Sequence, residues 1–270
     1  MPITYWQLLA AAIVAAALLE SRAPHHRPHG ASLRRIVANS ACLALASLLA
    51  LVLAPASQTI GLWWARSVGP GLTAQLPDAP ALMLLVAFLG YDIERYAAHR
   101  LFHTAPLWRL HALHHSDPEV DWSTNFRHHP LEAIPAMLLA AAGLGLVGID
   151  AATIALLALI HLVWDVFVHA NLALPRGLER RLGWVFVTPA MHRLHHSASR
   201  SEADSNYGGM LSIWDRLFGT LRSGEPARFG LEHPEASAQA DPLAMLLLPF
   251  SRLGAPVPAV RNRRHRLEET

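Results

Sequence analysis

Lysine is absent: all 22 basic residues of the 270-residue chain are arginine. With the abundance of alanine, this is a composition associated with GC-rich bacterial genomes. Cysteine is nearly absent. Cys42 is the single one and sits in an apolar run, so no internal disulfide can form. An iron–sulfur cluster held by cysteines of this chain alone is excluded as well. Charge is scarce, with 16% of residues charged against 53% hydrophobic, which is too apolar for an ordinary soluble domain. The formal net charge is only +2, which gives no argument for a nucleic-acid partner. Low-complexity segments are lacking, and nothing repeats except two short histidine boxes.

What is present is a series of long apolar runs and 17 histidines, twelve of them between His99 and His196. Taken in order, residues 5–19 are apolar and are followed, not preceded, by arginine, which reads as a first membrane helix rather than a cleaved leader. Residues 21–35 form a basic loop with Arg22, Arg27, Arg34 and Arg35, expected on the cytoplasmic side. Its His25, His26 and His29 read as a solvated, headgroup-facing loop. Residues 36–54 are a second span that Pro55 is expected to end. A connection over 55–78 then brings Trp63 and Trp64 to an interface. Residues 79–98 read as a third span, and 132–149 with 150–169 as a helical hairpin turned at Gly148 and Asp150. The stretch 241–251 is apolar but too short to span, and fits an interfacial segment or a cover over a pocket. The expected fold class is therefore all-α. It is a polytopic membrane bundle of four to five spans with a histidine-rich cytoplasmic cap. The regions are N-terminal membrane helices (1–78), a catalytic region (79–222) and a tail with a short interfacial segment (223–270).

Histidine spacing carries the chemistry. Residues three or four apart share a helix face. His99 and His103 form an HxxxH pair; His111, His114 and His115 form HxxHH; His192, His195 and His196 repeat it. Neutral imidazole is a common transition-metal ligand. Eight such nitrogens exceed one tetrahedral zinc and suit two metals with open positions. Packing alone does not explain three clusters placed on one membrane side, whereas it suffices for His25, His26, His29, His233 and His265. Of His128 and His129 the second is the preferred additional ligand. His169 is the preferred one of the stripe His161, Asp165, His169. His161 is equally a helix–helix hydrogen-bonding group. Asp92 is read as orienting a ligand imidazole or pairing with Arg95 or Arg100. Glu132, Asn171, Asp204, Asn206 and Tyr207 are either supports for ligands or caps and turns.

The ordered motifs HRLFH (99–103), HALHH (111–115), RHHPLE (127–132), HAN (169–171), HRLHH (192–196) and NYGGMLSIWDRLFGT (206–220) resemble the fatty acid hydroxylase/sterol desaturase superfamily. The resemblance covers roughly residues 80–222. It implies two non-haem irons, dioxygen as co-substrate, and hydroxylation or desaturation at an unactivated C–H bond of a lipid. The class of lipid would be a sterol or hopanoid, a carotenoid or a fatty acyl chain. It implies His99, His103, His111, His114, His115, His192, His195 and His196 as iron ligands, joined by His129 and His169, with no catalytic side chain needed beyond them. No fused electron-transfer module is visible, so electrons are expected from a separate protein. The C-terminal RLEET shows no retrieval signal and fits a bacterial inner membrane. Two rival readings use the same histidines: a membrane hydrolase with zinc-activated water, and a non-enzymatic metal-binding or transport protein. The second would carry polar groups through the spans, where here only His161 and Asp165 extend inward.

Overall fold

The computed structural model describes residues 3–26, 33–69, 71–232 and 240–251. Arg27, His29, His233 and the basic tail with His265 lie outside the described residues. Among the described residues the structure is helical, with three isolated β-bridges and no strand.

Five long helices pass the core. These are α1 (Ile3–Arg22), α2 (Leu33–Val68), α3 (Pro80–Phe102) and, after a cap, the pair α5 (Ala133–Val147) and α6 (Ala151–His169). Between α3 and α5 lies α4 (Ala105–His115), followed by short 3-10 turns over Trp122–Phe126 and Pro130–Glu132. Among the described residues five short helices follow α6: α7 (Arg176–Leu182), α8 (Pro189–His195), α9 (Arg200–Ala203), α10 (Ile213–Leu217) and α11 (Pro242–Leu247).

By length and composition Leu33–Ala56, Pro130–Val147 and Ala151–His169 can each cross a membrane. They turn apolar side chains outward: Leu48, Leu51 and Val52 on α2 are 59–73% exposed, a surface that suits lipid rather than water. As an α-helix, α3 is long enough too, but Asp92, Glu94 and Arg95 interrupt its apolar run. Charges at that depth are costly and turn inward, and Asp92 is fully buried.

Pro55 does not end the second span. It sits inside α2, which runs to Val68. Proline removes one backbone bond, but a helix in apolar surroundings can continue around it. The hydroxyl of Thr59 bonds to the Pro55 carbonyl, taking up an acceptor there. The connection expected over 55–78 is therefore mostly helix. The hairpin turn falls where expected. Gly148 ends α5 in the left-handed conformation at φ 78°, and Asp150 caps α6 by accepting from the amides of Ala152 and Thr153.

A buried ionic web fastens the cap to α2. Arg35 bonds Asp117 at 2.7 Å and also Asp121. Arg127 is wholly buried and reaches Asn39, Ser116 and the Leu113 carbonyl. Each charge has several partners, which is the condition for tolerating ions away from water. The stretch near 241–251 folds as a helix over Pro242–Leu247 and a 3-10 turn. Met245 and Leu248 pack on Trp108, Ala112 and Leu113, while Leu243, Leu247 and Phe250 face outward. One side covers the cap and the other is an apolar surface.

Candidate metal centre

Three helix termini meet at the cap. α3 ends at His99 and His103, α4 ends at His114 and His115, and α8 ends at His195 and His196. Prolines at the start of each helix and Thr104 and Thr188 at the caps of α4 and α8 fix where these short elements begin. α6 delivers His169 from the membrane side. Nine of the histidines resolve into two groups whose ligand nitrogens lie within 4.8 Å of one another, and a third set at the same spacing joins His111 to His128 and Glu132. Of the two groups, one holds His99, His103, His111, His115 and His195; the other holds His114, His169, His192 and His196. The first HxxxH pair serves one group only. Each HxxHH box divides between the two.

The hydrogen bonds decide which ring nitrogen faces inward. His99 Nδ1 is 2.9 Å from the Tyr207 carbonyl, and His195 Nδ1 is 2.7 Å from the Ser205 carbonyl. His169 Nδ1 is 2.7 Å from the carbonyl of Asp165. A carbonyl only accepts, so these Nδ1 atoms carry the proton and each Nε2 keeps its lone pair. Carboxylates do the same elsewhere: Asp204 faces His103 Nδ1 at 3.0 Å, and Glu132 faces His111 Nδ1 at 3.0 Å. The Nε2 atoms of His103, His111 and His195 are then buried with no hydrogen-bond partner, as are both nitrogens of His115. In the second group His169 Nε2 lies 2.9 Å from His192 Nε2 and 3.3 Å from His114 Nε2, and His196 Nε2 lies 3.2 Å from that of His192.

Convergent, dry lone pairs are costly unless a cation takes them. The donor set is wholly imidazole, suited to iron, zinc or copper and not to magnesium or calcium. Burial and the neighbouring rings favour the neutral, ligating form of His114, His115, His192, His195 and His196. Burial is the main cause in bringing His195 down to about 3. His114, His115, His192 and His196 are all pushed well below the usual imidazole range by burial and then by one another.

Ten histidines were expected here and nine meet. His129 is not brought to either group. Its Nε2 is 3.1 Å from the Leu246 carbonyl and its Nδ1 accepts from the Leu131 amide, so both nitrogens are taken. His128 is the one that faces the centre. It stacks on His114 at 4.2 Å and shares Glu132 with His111. The signal for it was present in the i, i+4 pair of His128 and Glu132. His161 is no member of either group; it bonds Asp92. Asp92 does not orient a ligand and pairs with neither Arg95 nor Arg100. It accepts from His161, the amides of Met210 and Leu211, and Trp214, thereby pinning the loop that carries Tyr207. Arg95 pairs instead with Asp165 at 2.7 Å. Of the expected supports, Glu132 and Asp204 hold imidazoles by side chain and Tyr207 by its carbonyl. Asn206 ties Met191 to Arg222, and Asn171 fastens the loop at His26. Ser205 acts through its carbonyl, and no sequence motif announces that.

A cavity of about 480 Å³ opens against the second group and runs between α3, α5 and α6. His99, His111, His114, His169 and His192 form one end; Tyr91, Ala140, Leu144, Ile154 and Leu162 line the other.

A family model described as fatty acid hydroxylase matches residues 84–220, just over half of the chain. The chain belongs to the fatty acid hydroxylase family. Among the relatives of this fatty acid hydroxylase-family protein, an ornithine lipid hydroxylase from Rhizobium tropici is 35% identical over 181 residues, covering 64% of this chain and 52% of the relative. Alkylglycerol monooxygenase from Danio rerio is 30% identical over 178 residues, with 65% and 39% covered; that from Homo sapiens is 33% identical over 150 residues, with 55% and 33% covered. The matched part of the chain thus spans about half the length of these curated relatives or less. No solved structure matches the chain. The family match begins inside α3 and ends after α10, so it contains all nine convergent histidines.

Proposed function

We propose that the protein is a membrane di-iron oxygenase that hydroxylates a lipid, with dioxygen as co-substrate and one iron at each histidine group. The observation that carries this reading is the junction of the two features just described. Nine imidazoles converge in two groups, and five of them, His99, His111, His114, His169 and His192, close one end of a cavity whose other end is apolar. The relatives' names, which speak of lipid hydroxylation and monooxygenation, support the reaction class.

Iron bound there would supply oxygen activation and the removal of hydrogen from a strong C–H bond. The chain supplies the rest. The carbonyls of Ser205 and Tyr207 and the carboxylates of Asp204 and Glu132 hold the Nδ1 protons, so that each ring presents one fixed lone pair. The apolar wall of α3, α5 and α6 binds hydrocarbon and keeps water from the oxidant. The cap, held on α2 by Arg35 and Arg127, keeps the three helix termini in register. The cavity lies among membrane helices and the cap stands at their ends, so substrate arrives from the bilayer and electrons from water. We place the cap on the cytoplasmic side of a bacterial inner membrane, with a separate protein as the electron donor. Desaturation of the same C–H bond is the alternative outcome of the same oxidant.

The test is the metal content of detergent-purified protein, measured with the His195→Ala variant, together with the mass of lipids after exposure to labelled dioxygen and a reductant. One iron per group, lost from the variant, and labelled oxygen in a lipid are the expected results. Zinc retained under iron-replete growth, with turnover independent of oxygen, would overturn the reading in favour of a hydrolase.

A further inference from the structure

The cavity wall is not apolar all the way to the histidines. α3 and α6 both run toward the cluster, so distance along each helix measures depth. At a rise of ~1.5 Å per residue, Arg95 and Glu94 lie about 6 and 7.5 Å before His99, and Asp165 lies about 6 Å before His169. On the same scale Tyr91 is about 12 Å before His99 and Ile154 about 22 Å before His169. All five line the cavity. A charged belt therefore separates a shallow compartment beside the histidines from a deep apolar one.

The charges in the belt do not cancel. Asp165 is paired with Arg95, and Glu132 is taken by His111 and His128. Glu94 makes no hydrogen bond or ion pair among the described residues, and it faces the cavity. Room has been left for it. A Cβ at Gly143 of α5 would stand 2.6 Å from Glu94 Cγ, so only glycine lets this side chain lie between the two helices. Arg95 is accommodated in the same way, with a Cβ at Gly209 falling 3.2 Å from its Nε. Arg95 lies near enough to be felt by Glu94 but is bonded to Asp165, and a carboxylate at membrane depth without a hydrogen bond or close ion pair of its own is costly. A ligand cation would remove that cost.

We propose that Glu94 anchors an amine on the substrate, which makes the substrate a lipid with a cationic, amine-bearing head group. This rests on the hydroxylase reading and narrows it. The hydrocarbon lies in the deep compartment and the amine at the belt. The carbon offered to the metals then lies on the head-group side, within about 6–8 Å of the amine, and not far along the tail.

The test is equilibrium binding of hexadecylamine and hexadecanol to the full-length, as-purified protein in a neutral detergent, under argon so that no turnover occurs. Wild-type protein is expected to bind the amine at least about tenfold more tightly, the usual worth of a charge-assisted hydrogen bond. Glu94→Gln is expected to bring the ratio close to one, and Glu94→Asp to retain the preference. Equal binding by the wild type, or a preference that survives in Glu94→Gln, would overturn the proposal. Should Glu94→Gln not fold, the wild-type ratio decides by itself. Binding read without turnover is independent of which metal is present, so failure here leaves the oxygenase reading standing, and failure of that reading leaves this result interpretable.

Discussion

His161 Nε2 lies 2.8 Å from Asp92 Oδ1, with both side chains fully out of contact with solvent. The contact joins α6 to α3 beneath the two histidine groups. Because Asp92 also accepts from Met210, Leu211 and Trp214, it transmits the position of two membrane helices to the loop that orients His99.

Asp92→Ala is accordingly expected to cost about 3 kcal/mol or more, because several buried donors lose their acceptor at about 1–3 kcal/mol each. It should also lower metal occupancy by releasing the loop. His161→Ala is expected to destabilise the protein while leaving the metal stoichiometry of the folded fraction unchanged. Thermal unfolding in detergent and metal analysis of the folded peak check both. Metal lost from folded His161→Ala would make His161 a ligand after all.

His128 and His129 should separate cleanly. His129→Ala removes a ring whose two nitrogens are engaged by backbone, and is expected to leave metal content at the wild-type value. His128→Ala removes the ring that stacks on His114 and shares Glu132 with His111, and is expected to reduce metal affinity. Elemental analysis of the two purified variants distinguishes them.

Asp204 is half-exposed yet holds His103 Nδ1. Asp204→Asn keeps the shape and removes the charge that supports the ligand. A fall of about 10- to 100-fold in metal affinity is expected, the usual range for loss of such a partner. Competition with a coloured chelator reads it, and an unchanged affinity would mean that Asp204 serves only its contact with Arg200.

Acid should weaken the metal-stripped protein. An unfolded imidazole titrates near ~6.5, whereas His195 is brought down to about 3 in the fold and His115 and His196 also lie well below their usual range. Below pH ~6.5 the unfolded chain therefore binds more protons than the folded one, and stability rises with pH in that window. The unfolding midpoint of stripped protein is expected to fall steadily from about pH 6.5 toward pH 3. A midpoint flat across that interval would contradict the burial of these rings.

Of the four to five spans expected, periodicity found the three helices that are long and apolar enough to cross a membrane, and the hairpin turn at Gly148, because a helix that faces lipid leaves a continuous apolar run. It misplaced the end of α2, since a proline that ends a helix in water need not end one among apolar neighbours. Spacing found eight of the nine convergent histidines as three boxes, and His169 followed from its place at the end of a span. The pairing of Arg95 with Asp165 depends on which faces of α3 and α6 turn toward one another, and spacing within one helix does not carry that. Least legible were Ser205 and Tyr207, whose contribution to the site comes from main-chain oxygen that every residue possesses.

The division of each HxxHH box between the two groups has a consequence for how such a protein can change over generations. His111 and His115 belong to one group and His114 to the other; His195 belongs to one and His192 with His196 to the other. A one-residue slip in α4 or α8 rotates donors of both groups away together, so a change in either box is felt by both groups at once. Only the HxxxH pair of α3 and His169 of α6 can be altered with donors of a single group lost, and any lineage that keeps one group without the other must start there.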